Sequence, residues 1–154
     1  MKLKYIVVAA MVSLVAACEV QSPQMTPLEI QSMQTRAFDS SYDTVFASTM
    51  SVFQDLGYTV TSADKSTGLI SAESATGSNL GFAIFTGSTL TTQTRATAFV
   101  ERIKRKSNVR LNFVQKSETS SGWGQTDRSD KPILDMEVYQ NAFERIENAI
   151  FVRQ

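Results

Sequence analysis

Two amphipathic segments, one on each side of strand-like sequence, constrain the fold of this chain more than any other feature. The first begins near the potential caps Asp39, Ser40 and Ser41 and stops at Gly57. Its apolar residues fall on two adjacent stripes. One stripe contains Val45, Val52 and Leu56, together with Thr49, and the other contains Phe46, Met50 and Phe53. The second runs from about Asp135 to Phe151, with Tyr139, Phe143, Ile146 and Ile150 at helical spacing. Each helix therefore has one broad apolar face that must be buried against another layer.

The sequence between and beside these helices predicts that this other layer is a sheet. Alternating or β-branched residues predict strands at 35–38, 58–63, 69–73, 95–103 and 109–116, with turns at 64–68 and 104–108. The order is β-α-β-β-loop-β-β-α. We therefore expect an α+β fold, a two-layer domain in which two helices cover one face of an antiparallel sheet of about four to five strands.

Composition narrows the chemistry open to this domain. The chain has no histidine and one cysteine, Cys18, so the commonest general base, the commonest metal ligand and any internal disulfide are absent. Without Lys2 and Lys4, 13 basic residues face 15 acidic ones, a net charge of −2, which argues against nucleic acid as a partner. We expect no cofactor, no metal and no enzymatic activity.

The amino terminus has the pattern of a secretory signal peptide. Lys2 and Lys4 precede an apolar run, 5–15, that only Ser13 interrupts, and small residues follow at 16 and 17. The run is too short for a membrane-spanning helix, which needs about 20 apolar residues.

The residues that end this signal, Val15-Ala16-Ala17-Cys18, resemble the lipobox of bacterial lipoproteins. The resemblance implies cleavage before Cys18, lipidation of that cysteine, and firm membrane anchoring with no transmembrane segment in the mature protein. We therefore expect a signal peptide at 1–17, a lipidated cysteine and tether at 18–34, and the α+β domain at 35–154. The tether contains Pro23 and Pro27 and reads as mostly extended, although Thr26 could cap a short helix over 27–33.

An uncharged stretch from Ser74 to Thr94 divides the domain. We expect it to contain an apolar, glycine-containing loop at 76–94. Three interpretations stay open: a mobile connector, a short helix over the sheet, or a surface that touches a membrane or a partner, with Phe82, Ile84 and Phe85 as the contact residues.

Two further segments are candidates for contact. Lys104, Arg105 and Lys106 concentrate positive charge in a predicted turn, which is either a solvated turn or a contact for anionic lipid head groups or an acidic partner. Trp123 lies in a polar loop or frayed hairpin, 116–131, and is either a lid on the core or an exposed contact residue. Asp127 and Asp130, in the same loop, match no catalytic spacing, and solvated charge is the better account of them.

Several motifs resemble a known family. Three segments look like those of uncharacterised proteobacterial outer-membrane lipoproteins with a lipobox and a small α+β domain. They are the helix end Phe53-Gln54-Asp55-Leu56-Gly57-Tyr58, the segment Ser66-Thr67-Gly68-Leu69-Ile70-Ser71-Ala72, and the final helix Val138-Tyr139-Gln140-Asn141-Ala142-Phe143 with Ile150-Phe151. That family also has an apolar, glycine-containing stretch between its halves, which here is the shorter and more polar 81–87. These are mainly core positions, so the resemblance implies a shared fold rather than a shared chemistry.

The function that we expect is a lipid-anchored, non-catalytic binding or accessory module of the bacterial cell envelope, with a protein partner there. The outer membrane, facing the periplasm, is favoured because the residue after the cysteine, Glu19, is not the one usually linked to retention in the inner membrane. The alternative is a structural, oligomeric envelope component that uses residues 77–90 at the membrane.

Overall fold

The computed structural model describes residues 25–78 and 88–153. The elements are α1 (Pro27–Gln34), β1 (Thr35–Phe38), α2 (Tyr42–Asp55), β2 (Tyr58–Asp64), β3 (Leu69–Ser74), β4 (Gly77–Ser78), β5 (Ser88–Ile103), β6 (Lys106–Ser121), β7 (Thr126–Pro132) and α3 (Met136–Val152). This is the predicted α+β class, with an antiparallel sheet. Among the described residues the sheet has seven strands rather than the four to five expected, and there are three helices rather than two.

A long hairpin of β5 and β6 forms the centre of the sheet. The strands have 16 residues each and pair from Ile103 with Lys106 at one end to Ser88 with Ser121 at the other. The strand order is β1-β6-β5-β3-β2, while the short β4 pairs with β5 and β7 pairs with β6. At about 3.4 Å per residue the hairpin is about 50 Å long.

Only one half of this hairpin is covered by the hydrophobic core. Helices α2 and α3 pack on one face of it, and the buried side chains there include Ala96, Val100, Leu111 and Phe113. The other half, 88–94 and 114–121, consists mostly of polar residues and has no fully buried side chain among them. The sheet therefore extends beyond the core as a polar ribbon.

The outer edge of β6 is shared by two strands placed end to end. β1 pairs with residues 107–110 of β6, and β7 pairs with residues 114–120. Phe113 lies at the junction, where its N–H donates to the hydroxyl of Tyr139 at 3.3 Å and its carbonyl accepts from Ile133 N at 2.9 Å. The buried side chain of Gln34 also donates to this hydroxyl, at 3.4 Å. The last residue of α1 and the first turn of α3 thereby close the gap between the two strands.

The two amphipathic helices begin and end close to their predicted bounds. Ser41 caps α2 by accepting from Thr44 N at 3.2 Å, and Asp135 caps α3 by accepting from Glu137 N at 2.9 Å. Tyr139 and Phe53 are fully buried, as the apolar faces predict.

Four boundaries differ from the predictions. Residues 27–34 form α1, the helical alternative, so the prediction of an extended tether to residue 34 is wrong for this part. Thr26 caps α1 in a capping box with Glu29. The predicted loop 76–94 contains β4 and the start of β5. Residues 116–131 form a hairpin of β6 and β7, which confirms the hairpin alternative, and β6 extends past its predicted end at 116 to Ser121. The predicted turn 104–108 has only two residues outside the strands, because β6 begins at Lys106.

Candidate functional site

The polar ribbon ends in an exposed turn that carries the only tryptophan of the chain. The side chain of Trp123 is 99% exposed at the turn between β6 and β7, so it is not a lid on the core. The turn forms its own hydrogen bonds: Ser121 N donates to Gln125 O at 2.9 Å, Gly124 N to Ser121 O at 3.0 Å, and Gln125 N to Ser121 Oγ at 3.3 Å. Its backbone polar groups are therefore partly satisfied without any external partner.

No charged residue occurs near this turn on the strands that form it. Residues 119–126 are uncharged, and so are residues 88–94 of the neighbouring β5. The nearest charges along the chain are Glu118 and Asp127. We call the described residues 88–90, which pair with 119–121, together with 119–126 the uncharged tip.

The basic turn lies at the other end of the hairpin. Lys104 and Arg105 connect β5 to β6, with Lys104 at a φ of 57°, and Lys106 begins β6 opposite Ile103. All three basic side chains are exposed. The guanidinium of Arg102 lies beside them, 5.3 Å from the centre of the Tyr42 ring.

The structure therefore separates the predicted contact residues instead of bringing them together. Lys104–Lys106 and Trp123 are about 50 Å apart along a continuous hairpin, so they do not form one compact contact site. Phe82, Ile84 and Phe85 lie outside the described residues, as do the predicted signal peptide and Cys18. The residues that flank 79–87 pair with the polar ribbon, Ser78 with Thr91 and Ser88 with Ser121.

An ion-pair network on the face of the sheet opposite the helices was not expected from the sequence. Glu73 accepts from Arg95 at 3.0 Å and lies 3.6 Å from Lys116 Nζ, and Arg128 donates to Glu118 at 3.0 Å. The hydrogen bond from Arg95 lowers the pKa of Glu73 below its ordinary value, with the charge of Lys116 contributing. Alternation within each strand could have placed these residues on one face, but their neighbours across strands follow only from the register.

This network borders a shallow basin of about 480 Å³ on the same face, with Gln93, Lys116 and Asp130 among its lining residues. Charges of both signs and an amide offer hydrogen bonds to a polar partner, and the basin has no single-sign field that would select a highly charged ligand. The apolar pair Leu69 and Phe99 lies on this face as well, 51% and 40% exposed.

The two aspartates that were weighed as catalytic candidates do not meet. Asp127 pairs with Thr119 and Asp130 pairs with Lys116. They are three positions apart in β7, so they point to opposite faces of the strand. Within residues 25–78 and 88–153, no three acidic, cysteine or histidine side chains cluster closely enough to hold a metal ion. In the same residues, no helix combines the length and apolarity that crossing a bilayer requires.

Comparisons with known proteins assign no family to the chain. No protein-family profile matches the chain, and no curated protein matches it. Among solved structures, a crystal structure of a DUF4468 family protein from Bacteroides ovatus ATCC 8483 is similar over 75% of this chain and 84% of that chain. The sequence identity is 10% and the TM-score is 0.39.

Proposed function

We propose that the chain is a lipid-anchored protein of the bacterial cell envelope that acts as a non-catalytic binding or accessory module. The observation that carries this proposal is the sequence Val15-Ala16-Ala17-Cys18 directly after a charged start and an apolar run. The cysteine has no competing role in the chain, because the chain contains no second cysteine that could form a disulfide and no histidine that could pair with a thiolate.

The face of the sheet opposite the helices supports the binding part of the proposal. It presents the basin, the ion-pair network and the apolar pair Leu69 and Phe99 as one continuous surface. Protein interfaces combine apolar contacts with hydrogen bonds and charged groups, and this face offers both kinds of contact. Such a role requires neither an activated nucleophile nor a paired general acid and base.

Anchoring is tested by labelling cells that produce the full chain with a clickable fatty acid, followed by flotation of their membranes. We expect the wild-type chain to be labelled and to float, and the Cys18→Ala variant to lose both properties. A matched control combines Cys18→Ala with Glu19→Cys, which keeps one cysteine but moves it away from Ala17. Fatty-acid labelling of the control equal to that of the wild type would contradict the lipobox interpretation.

Binding is tested in the same cells with a photocrosslinking amino acid. Thr97, in the centre of the open sheet face, is the test position, and Gln140, exposed on α3, is the matched control. We expect one reproducible crosslinked partner from position 97 and none from position 140. Crosslinks only between copies of this chain would favour the oligomeric alternative, and equal crosslinking from both positions would remove the assignment of the face.

A further inference from the structure

We propose that the uncharged tip inserts Trp123 into the interfacial layer of the bilayer that holds the lipid anchor. This inference rests on the proposed function, because it takes the membrane of the anchor as the surface that is touched. The partner is a lipid surface, and the basic turn at the other end of the hairpin faces away from it.

The side chain at the turn has the chemistry that bilayer interfaces select. Tryptophan has a large apolar ring and one N–H donor, and it is enriched where one end of a side chain is wet and the other is apolar. Trp123 is 99% exposed and has Gly122 and Gly124 on either side, so no neighbouring side chain in the sequence shields the ring. Exposure of the indole to water costs free energy that insertion would recover.

The surroundings of the ring allow insertion without burying a charge. The nearest charge is Asp127, which pairs with Thr119 two residues before Ser121, so the uncharged tip is about 7 Å deep at 3.4 Å per residue. This matches the depth of roughly 5–10 Å to which interfacial segments enter the head-group and acyl boundary. The hydrogen bonds between Ser121 and Gln125 satisfy part of the backbone of the turn, which lowers the cost of moving it out of bulk water.

The length of the tether is compatible with this contact. Gln34, at the end of α1, bonds to Tyr139 beside Phe113, and Phe113 is eight residues from Ser121, or about 27 Å. The eight residues from Cys18 to Thr26 span at most about 28 Å when extended. The tether joins the domain at Thr26, which α1 separates from Gln34 by about 12 Å, so Cys18 lies at most about 40 Å from Gln34, a limit that includes the distance of about 27 Å to Ser121. The anchor also makes the contact intramolecular, which raises the effective concentration of the surface.

The test uses Trp123 as its own reporter, since it is the only tryptophan in the chain. The full-length lipidated protein is reconstituted in phosphatidylcholine vesicles that contain a brominated phosphatidylcholine. We expect tryptophan emission to move to shorter wavelength than that of the Cys18→Ala chain in buffer, and bromine to quench it. Vesicles without anionic lipid are used because the basic turn would need anionic head groups.

A charge placed in the uncharged tip should reverse the effect. Gln125→Glu is isosteric and adds a charge two residues from Trp123, and we expect the ratio of inserted to withdrawn tip to fall about fivefold. Gln115→Glu is the matched control, because Gln115 is exposed on β6 about 20 Å from Ser121. Bromine quenching should fall in the first variant and remain unchanged in the second.

Each other outcome overturns the inference. Water-like emission without bromine quenching from a vesicle-bound chain means that the tip points away from the bilayer. A shift to shorter wavelength without bromine quenching means that Trp123 is buried between copies of the chain. Failure of the wild-type chain to bind vesicles at all would instead remove the proposed lipid anchor, so the two failures are distinguishable.

Discussion

Gly68 is the position where a single methyl group should disturb the fold most directly. It ends the turn between β2 and β3 at a φ of 79°, a conformation that residues with a side chain rarely adopt. Its N–H donates to Asp64 O at 2.9 Å, and its carbonyl accepts from Val100 N at 2.9 Å. A Cβ atom built on Gly68 would lie 2.0 Å from the backbone oxygen of Val100. Because this neighbour is backbone rather than a flexible side chain, β3 and β5 would have to separate locally.

The magnitude for Gly68→Ala is the sum of two effects. The left-handed conformation costs a residue with a Cβ about 1–2 kcal/mol. Separation of the strands disturbs the hydrogen bond between Val100 and Gly68, which contributes about 1 kcal/mol, and loosens packing near it. We therefore expect Gly68→Ala to lower the free energy of unfolding by about 2–4 kcal/mol.

A second glycine of the same conformation provides the matched control. Gly57 has a φ of 83°, but a Cβ atom built on it would meet no heavy atom within 4 Å. Gly57→Ala should therefore show only the conformational cost of about 1–2 kcal/mol. The free energy of unfolding is measured by urea denaturation followed by far-ultraviolet circular dichroism. Equal losses for the two variants would refute the close approach of Gly68 to Val100.

Two further predictions concern buried hydrogen bonds and pH. Tyr139→Phe removes the hydroxyl that accepts hydrogen bonds from Phe113 N and Gln34, and leaves a buried backbone donor without a partner. We therefore expect the free energy of unfolding, measured by urea denaturation, to fall by about 1–3 kcal/mol. A fall below about 0.5 kcal/mol would contradict this role of the hydroxyl. Glu73→Gln should be less stable than wild type at neutral pH, because Arg95 holds the pKa of Glu73 below its ordinary value near 4.5 in the folded state. Because the pKa of Glu73 is lower in the folded than in the unfolded state, its carboxylate stabilises the fold at any pH above the unfolded pKa, and this stabilisation is lost as the pH falls through the folded pKa. The difference in stability between Glu73→Gln and the wild type should therefore vanish in acid. A difference that does not depend on pH would contradict the ion pair.

The helices could be predicted well because their signals are local. The apolar stripe through Val45, Val52 and Phe53 repeats at helical spacing, and Ser41 and Asp135 are typical caps that lie where the stripes begin. The strands were predicted short for a physical reason. Alternation marks a strand only when one face is buried, and residues 88–94 and 117–121 are hydroxyl-rich on both faces. What extends β5 and β6 is their pairing with each other and with β7, which is not a local property of the sequence.

The same distinction applies to the candidate site. Exposed Trp123 and the basic residues 104–106 were found as contact candidates, because their chemistry is unusual for a turn. Their separation could not be found, since it depends on two 16-residue strands pairing in full register. The network of Glu73, Arg95 and Lys116 was missed as well, because residues more than 20 positions apart become neighbours only across strands.

The register of β5 and β6 places the uncharged tip and the basic turn at opposite ends of the domain, so each end defines a different upright orientation. The uncharged tip and the basic turn are about 50 Å apart on one continuous hairpin, and the core over one half of it resists bending there. If the tip meets the bilayer, as we propose, and the hairpin stands upright on it, the basic turn is about 50 Å above the head groups. At that distance several Debye lengths separate it from the membrane charge, so its charges act on solutes and proteins rather than on lipid. If instead the basic turn meets anionic lipid and the hairpin stands upright on that end, Trp123 stays in water, so emission and bromine quenching together distinguish the two orientations.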